Sequence, residues 1–167
     1  MSEAVALRFE DAGMRRLVAR VPAIMLEEIG RAVVEASALA EREVKERTPT
    51  SGAGTLRESI GALPVTISGT RVTGGVGTAL SYAAAVELGS KPHWAPIAPL
   101  LDWVQRKLGK AGAEAEGIAH AIQFKIAAHG TKAVHMFRDG FAYVSPAVMD
   151  IFAAAVARGA ARAERKA

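Results

Sequence analysis

The sequence predicts one domain built from helices and a few short strands. Leu26, Ile29, Val33, Ala36, Ala40 and Val44 recur at three- and four-residue steps, the spacing of one helix face. Residues 63–68 and 71–77 read as two strands around the bend Ser68-Gly69-Thr70. Helical stripes return at Ile97, Leu100, Leu101, Val104 and Leu108, then at Ile118, Ile122 and Ile126. At 167 residues and 17.5 kDa, one domain is the simplest division, and it is long enough to bury a core.

From the start of the chain, Val5, Leu7 and Phe9 alternate with Ala6, Arg8 and Glu10, a strand pattern of period two. Asp11 is expected to cap a small helix carrying Met14, Leu17 and Val18, which ends before Pro22. Pro22 suits the first turn of the next helix, which runs for about 25 residues, or roughly 37 Å. Its last turns, EREVKER at 41–47, are charged almost all round. The helix end is therefore expected to project from the body or to meet a neighbour through ion pairs, and to stop at Thr48-Pro49.

Ser51, Gly52, Ala53 and Gly54 form a flexible turn, and Thr55 is expected to cap the short segment 56–60. Gly74, Gly75 and Gly77 weaken the second strand and point to a bulge or a close backbone approach. Residues 82–88 suit either a strand or a short helix. The three prolines of 89–99 mark a loop, and Gly109 closes the helix that follows. Residues 110–117 read as a polar linker, and Gly130 stops the helix after it. The last segment carries two signals. Asp139-Gly140 suits a hairpin turn, yet Phe137, Phe141, Val144, Val148, Phe152 and Ala155 keep helical spacing through it. The favoured reading is a helix from about Ser145, after an extended or loosely helical stretch.

Composition narrows the function classes. Hydrophobic residues are 50% and charged residues 23%, an ordinary soluble balance. Aromatics are only 5%, so the core is thin and subunit contacts are expected to supply part of the stability. The net charge is +4, and Arg158, Arg162, Arg165 and Lys166 gather at the C-terminus. A solvated helix end suits those cations best; contact with nucleic acid or an acidic partner is the alternative. The absence of cysteine excludes disulfides, thiolate metal sites and cysteine nucleophiles, and fits a cytoplasmic product. No apolar signal core opens the chain, and no run of about 18 apolar residues is read, so no membrane span is expected.

Reactive constellations do not emerge. His93, His120, His129 and His135 include no i, i+4 pair and no HExxH. The glycines of 69–77 lack GxGxxG spacing, and Gly130-Thr131-Lys132 lacks the upstream glycine of a phosphate loop. No GxSxG surrounds Ser51, Ser59, Ser68 or Ser81. Glu27-Glu28 is expected near a helix N-terminus, where negative charge needs no catalytic role. Glu87 follows an apolar run. If partly buried it needs a cation, Arg57 or Lys91; otherwise it is an exposed strand-end carboxylate. Trp103 is expected in the core. Trp94 suits either a subunit contact or a loop folded over the core. No catalytic, metal or cofactor-binding residue is assigned, and no cofactor is expected.

Thr48, Pro49, Gly54, Leu56, Arg57, Ser59 and Ile60, then Tyr82, Ala83, Val86, Glu87, Gly89 and Ser90, carry a longer pattern, extended by Gly130, Thr131, Lys132 and Phe137. This resembles the tail-completion (minor tail, head–tail joining) family of long-tailed bacteriophages and prophages, with its T-P-x-x-T-G-x-L-R-x-S-I and Y-A-x-x-V-E-x-G-T motifs. The turn TSGAGTLR is longer than the family's, Ser90 stands where Thr is commoner, and 94–130 looks like an added helical pair. The resemblance implies an α+β fold, with the long helix packed on a small, mostly antiparallel sheet and further helices toward the C-terminus. It implies a virion protein that completes the tail and meets the tail tube and head connector as a ring, expected to be six-fold, whose lumen passes DNA. Its interface and structural candidates are Gly52, Gly54, Leu56, Arg57, Ser59, Tyr82, Glu87, Gly89, Lys91 and Trp94. Leu56, Ile60 and Val86 are expected to tie sheet to helices, and Arg57 to pair with Glu87. The rival reading is a small basic nucleic-acid-binding module using the C-terminal arginines.

Overall fold

The computed structural model describes residues 12–50 and 54–165, with side chains from residue 21 onward. The strand pattern at Val5–Phe9, Asp11, the side chains of Met14, Leu17 and Val18, Gly52 and Lys166 lie outside what is described. The fold is α+β and mostly helical. A long helix lies between a two-stranded antiparallel hairpin and a long C-terminal helix.

Helix α1 runs from Ala12 to Arg47 without a break, so the two helices expected on either side of Pro22 are one. Proline removes a single backbone donor and its ring crowds the preceding turn. Packing over the following turns holds the helix through that loss. Ile24, Glu28, Ala32, Ala36, Ala40 and Val44 recur at four-residue steps and are all buried. The charged end does not project. Val44 is fully buried, Lys45 pairs with Glu41 and Arg47 with Glu43 at 2.5 Å each, and the Arg47 guanidinium lies 5.0 Å from the Tyr143 ring centroid. Those charges are spent within the subunit.

Gly54, at φ 65°, enters helix α2 (Thr55–Ser59), and its carbonyl accepts the Glu58 N–H at 3.0 Å. Thr55 is thus the first helical residue and not the cap. Strands β1 (Gly61–Ser68) and β2 (Arg71–Gly77) pair antiparallel around Gly69. The register slips between Leu63 and Thr66, where two residues of β1 face Gly74 alone. The bulge and the close approach expected of the glycines meet here. A β-carbon on Gly74 would overlap the Val33 side chain, so the hairpin lies directly on α1.

Residues 82–88 resolve as a helix, α3 (Ala83–Leu88). Helix α4 (Ile97–Leu108) ends at Gly109 in the left-handed conformation, as the sequence predicts. Helix α5 (Gly112–His129) starts inside the expected linker, because Ala113, Glu114, Ala115 and Glu116 are strong helix formers. The two helices form a hairpin around Val104, Ala115 and Ala119, a cluster separate from the main core. Trp103 packs against that cluster but is only half-buried.

Helix α6 (Met136–Glu164) overturns both the hairpin turn at Asp139-Gly140 and the start at Ser145. Its buried positions, Met136, Gly140, Val144, Ala155, Gly159 and Ala163, keep one face against α1 through both Gly140 and Pro146. By length and composition α6 is apolar enough to cross a membrane, contrary to the expectation that no such run exists. In the fold it is the long neighbour of α1, and its outer side leaves Phe141, Tyr143, Met149 and Val156 exposed.

Candidate functional site

The motif residues gather where four elements end together: the C-terminus of α1, the short helices α2 and α3, and the N-terminus of α6. Val44, Leu56, Ile60, Ala83 and Met136 form the buried centre, with Val76, Leu80, Val86 and Phe137 packed around it. Leu56, Ile60 and Val86 therefore sit where strands meet helices.

Thr48 is buried at the end of α1. Its hydroxyl donates to Val44 O at 2.6 Å, and its own carbonyl accepts Arg57 Nη2 at 2.8 Å. The guanidinium also reaches Glu46 O at 3.5 Å. A cation on the last carbonyls of a helix satisfies orphan acceptors and complements the negative end of the dipole. Arg57 Nε is buried with no partner among the described residues.

Glu87 does the converse at the other helix. Its two carboxylate oxygens accept the backbone N–H of Phe137 at 2.9 Å and of Arg138 at 3.0 Å, the free donors of the first turn of α6. The expected pairing of Glu87 with Arg57 or Lys91 is thus replaced. Arg57 bonds to α1 and Lys91 is exposed. The two motif charges act as helix caps of opposite sign.

Ser59 Oγ donates to Leu56 O at 2.8 Å and accepts from Thr78 Oγ1 at 2.7 Å, joining α2 to the end of the hairpin. Tyr82 precedes α3, half-exposed over a groove of roughly 540 Å³ shared with Pro49, Leu56, Val86, Trp103 and Lys107. Gly89, at φ 74°, lies against the backbone of 131–133, where a β-carbon would overlap Ala133 N at 2.8 Å. That contact lets two segments run side by side. Ser90 and Thr131 exchange backbone bonds at 3.1 Å each, Val134 N donates to Val86 O, and His135 N donates to Glu87 O. Residues 91–130 leave and return at this point. Trp94 rides on that excursion, 63% exposed, edge-on to Phe124 with centroids 5.2 Å apart.

A second charged cluster was not legible beforehand. Glu27 and Glu28 lie within α1, not near its start. Glu28 accepts from Arg162 and, at 3.2 Å, from Arg158, while Arg31 and Arg162 also hold Glu27. Glu28 is covered by these partners. The Arg162 hydrogen bond, then that from Arg158, hold its carboxyl below the ordinary carboxylate range. Two of the C-terminal arginines invoked for nucleic-acid contact are therefore engaged within the fold. Arg158 and Arg162, one helical turn apart, held the only sequence signal for this. No cluster of metal-ligating side chains occurs among the described residues.

Residues 12–89, somewhat under half of the chain, match the family model described as Bacteriophage HK97-gp10, putative tail-component. That span holds α1, α2, the hairpin and α3, and bears out the tail-protein resemblance read from Thr48–Ile60 and Tyr82–Gly89. No curated protein and no solved structure matches the chain. The match relates that segment to a family described as bacteriophage tail components.

Proposed function

We propose that this chain, with its phage tail-component segment at 12–89, is a non-enzymatic assembly protein that completes the tail and joins it to the head connector. One observation carries the reading. Arg57 and Glu87, the charges of the motif, each close a helix end and so build a rigid body instead of a reactive centre. The protein works as a ring of identical subunits, six in number, at the tail–head junction of a particle assembled in the host bacterial cytoplasm. Its neighbours are the tail tube and the proteins of the neck, and no membrane is involved.

A ring needs a heterologous interface that closes, one face of a subunit meeting a different face of the next. Exposed apolar side chains stand on separate elements of this subunit: Leu63 on the hairpin, Tyr82 beside its groove, and the Trp94–Phe124 pair on the helical excursion. Gly52, Gly54, Lys91 and Trp94 supply contacts to the neighbouring subunits. A net charge of +4 per subunit lets a ring pass DNA through its lumen by contact with phosphates alone.

The test is the mass of the purified chain in solution, alone and mixed with tail tubes, by light scattering and negative-stain imaging. Rings, or subunits that cap tube ends, are expected. A monomer that ignores tubes and binds duplex DNA at low salt would overturn the reading in favour of a basic nucleic-acid module.

A further inference from the structure

Helices α4 and α5 belong to a unit that touches the rest of the molecule sparingly. Val104, Ala115 and Ala119 are buried at its centre, and every side chain packed around them also comes from residues 97–122. Neither helix lies along an element of the body as α1 lies along α6 and the hairpin. Its ion pairs close within it, Arg106 with Asp102 and Lys110 with Glu114, and Gln123 Nε2 donates to Ala95 O at 2.7 Å. Among the described residues, no hydrogen bond or ion pair carries 91–130 past Ser90 and Thr131 into the body.

The unit hangs from a neck of two segments joined by the single bridge between Ser90 and Thr131. A glycine precedes each of them. Gly89, at φ 74° and ψ 178°, and Gly130, at φ 71° and ψ −159°, occupy a backbone region that is essentially glycine's alone. One bridge resists pulling the segments apart but does little against bending. Beyond the neck the unit does not rest on the body. A groove of roughly 540 Å³ lies between them, with Trp103 and Lys107 of α4 on one side and Thr50, Leu56, Tyr82 and Val86 on the other.

We infer that residues 91–130 are a hinged arm, which swings as one rigid body about the Ser90–Thr131 neck and closes over that groove. A hinge is a few residues at the ends of elements that take up the backbone change while the packed units on either side move intact. The 18 residues of α5 span about 27 Å, so a turn of about 15° at the neck shifts the far end of the arm by roughly 7 Å. Closing lays the half-buried Trp103 on Leu56 and Tyr82 and removes apolar surface from water. Opening returns conformational freedom to the neck and to those side chains.

The hinge stands on this geometry; only its use rests on the tail-joining reading, where an arm that adjusts lets Lys91 and Trp94 meet a neighbour while the capped body stays rigid. The chain has no cysteine, so pairs of introduced cysteines in the full-length protein carry spin labels at chosen sites. Glu35→Cys with Ala113→Cys spans body and arm. Glu35→Cys with Asp150→Cys lies within the body, and Ala98→Cys with Ala113→Cys within the arm; all four positions are exposed. The body–arm distance distribution is expected to be broader than both controls. A body–arm distribution as narrow as the controls overturns the hinge. Thr50→Cys with Lys107→Cys, across the groove, is expected to form a disulfide within one chain under mild oxidation. A pair that stays reduced, or that links only separate chains, overturns the closure. A narrow body–arm distance in a chain that still forms rings overturns this inference alone, whereas a mobile arm in a chain that never assembles overturns only the tail-joining reading.

Discussion

Thr48 and Arg57 close the end of α1 together: the Thr48 carbonyl accepts the Arg57 guanidinium at 2.8 Å while the Thr48 hydroxyl turns back to Val44 O at 2.6 Å. Nine residues separate them, and the Gly54 turn brings one to the other. Replacing Arg57 with Ala leaves helix-end carbonyls unpaired at a half-buried site. A loss of about 1–2 kcal/mol is expected, toward the lower end for charge-assisted bonds because the site is partly solvated. Arg57→Lys should recover part of it, since one ammonium reaches Thr48 O and the unpartnered Nε disappears. Urea unfolding midpoints of the three proteins decide this. Equal midpoints for Arg57→Ala and the parent would remove the cap from the account.

Glu87 serves α6 as Arg57 serves α1. Glu87→Gln keeps the shape but offers one acceptor oxygen to two N–H donors, so the amide must aim its own N–H₂ at one of them. Both Glu87→Gln and Glu87→Ala should cost about 1 kcal/mol, the usual worth of an N-terminal cap. Faster amide exchange at Phe137 and Arg138 would mark the frayed turn. Protection unchanged at both amides in Glu87→Ala would refute the role.

Acid should loosen the α1–α6 contact through Glu28. Its carboxyl is held below the ordinary value, chiefly by Arg162 and next by Arg158. A lowered folded-state pKa means a contribution fully present above the unfolded value near 4.5, and lost as pH falls through the folded one. Glu41, bonded by Lys45 and the Ala62 N–H, and Asp139, bonded by Arg138, shift the same way. The unfolding midpoint should therefore hold steady from pH 7 to 5 and fall below about pH 4.5. In Glu28→Gln the fall should be shallower, because one of these linked groups is gone. A parallel fall in both proteins would show that Glu28 contributes nothing to it.

Local signals in the sequence located most elements but not what their residues meet. The stripe from Leu26 to Val44, the strand pair with its glycines and the stops at Gly109 and Gly130 all rest on periodicity and turn chemistry, and stand in the fold. Pro22 and Asp139-Gly140 carried equally strong break signals and failed. Packing of α1 against α6 outweighs a lost hydrogen bond and a turn-forming dipeptide. At the site, opposite charges on Arg57 and Glu87 suggested a pair, since helix ends are as hungry for charge as side chains but are not visible in a sequence. Glu28 with Arg158 and Arg162 spans more than a hundred residues, beyond any spacing rule.

Gly140 and Gly159 make the packing account testable, because both are helical and both lie on α1. A β-carbon at Gly140 would stand 2.9 Å from Val44 Cγ2 and 3.4 Å from the Val44 backbone. Val44 is fully buried and branched at its β-carbon, so it has nowhere to move. At Gly159 the obstacle is the Met25 thioether, the end of a flexible and half-buried side chain. Alanine gains about 1 kcal/mol of helix propensity over glycine at either place. Overpacking costs about 1–3 kcal/mol where neighbours cannot yield. Gly140→Ala should therefore be destabilising on balance, by roughly 1–2 kcal/mol, while Gly159→Ala should be near neutral because Met25 swings aside. Thermal and urea midpoints for the pair give the answer. If Gly140→Ala proves the more stable protein, α6 does not sit on Val44 as described, and Asp139-Gly140 regains its claim to be a turn.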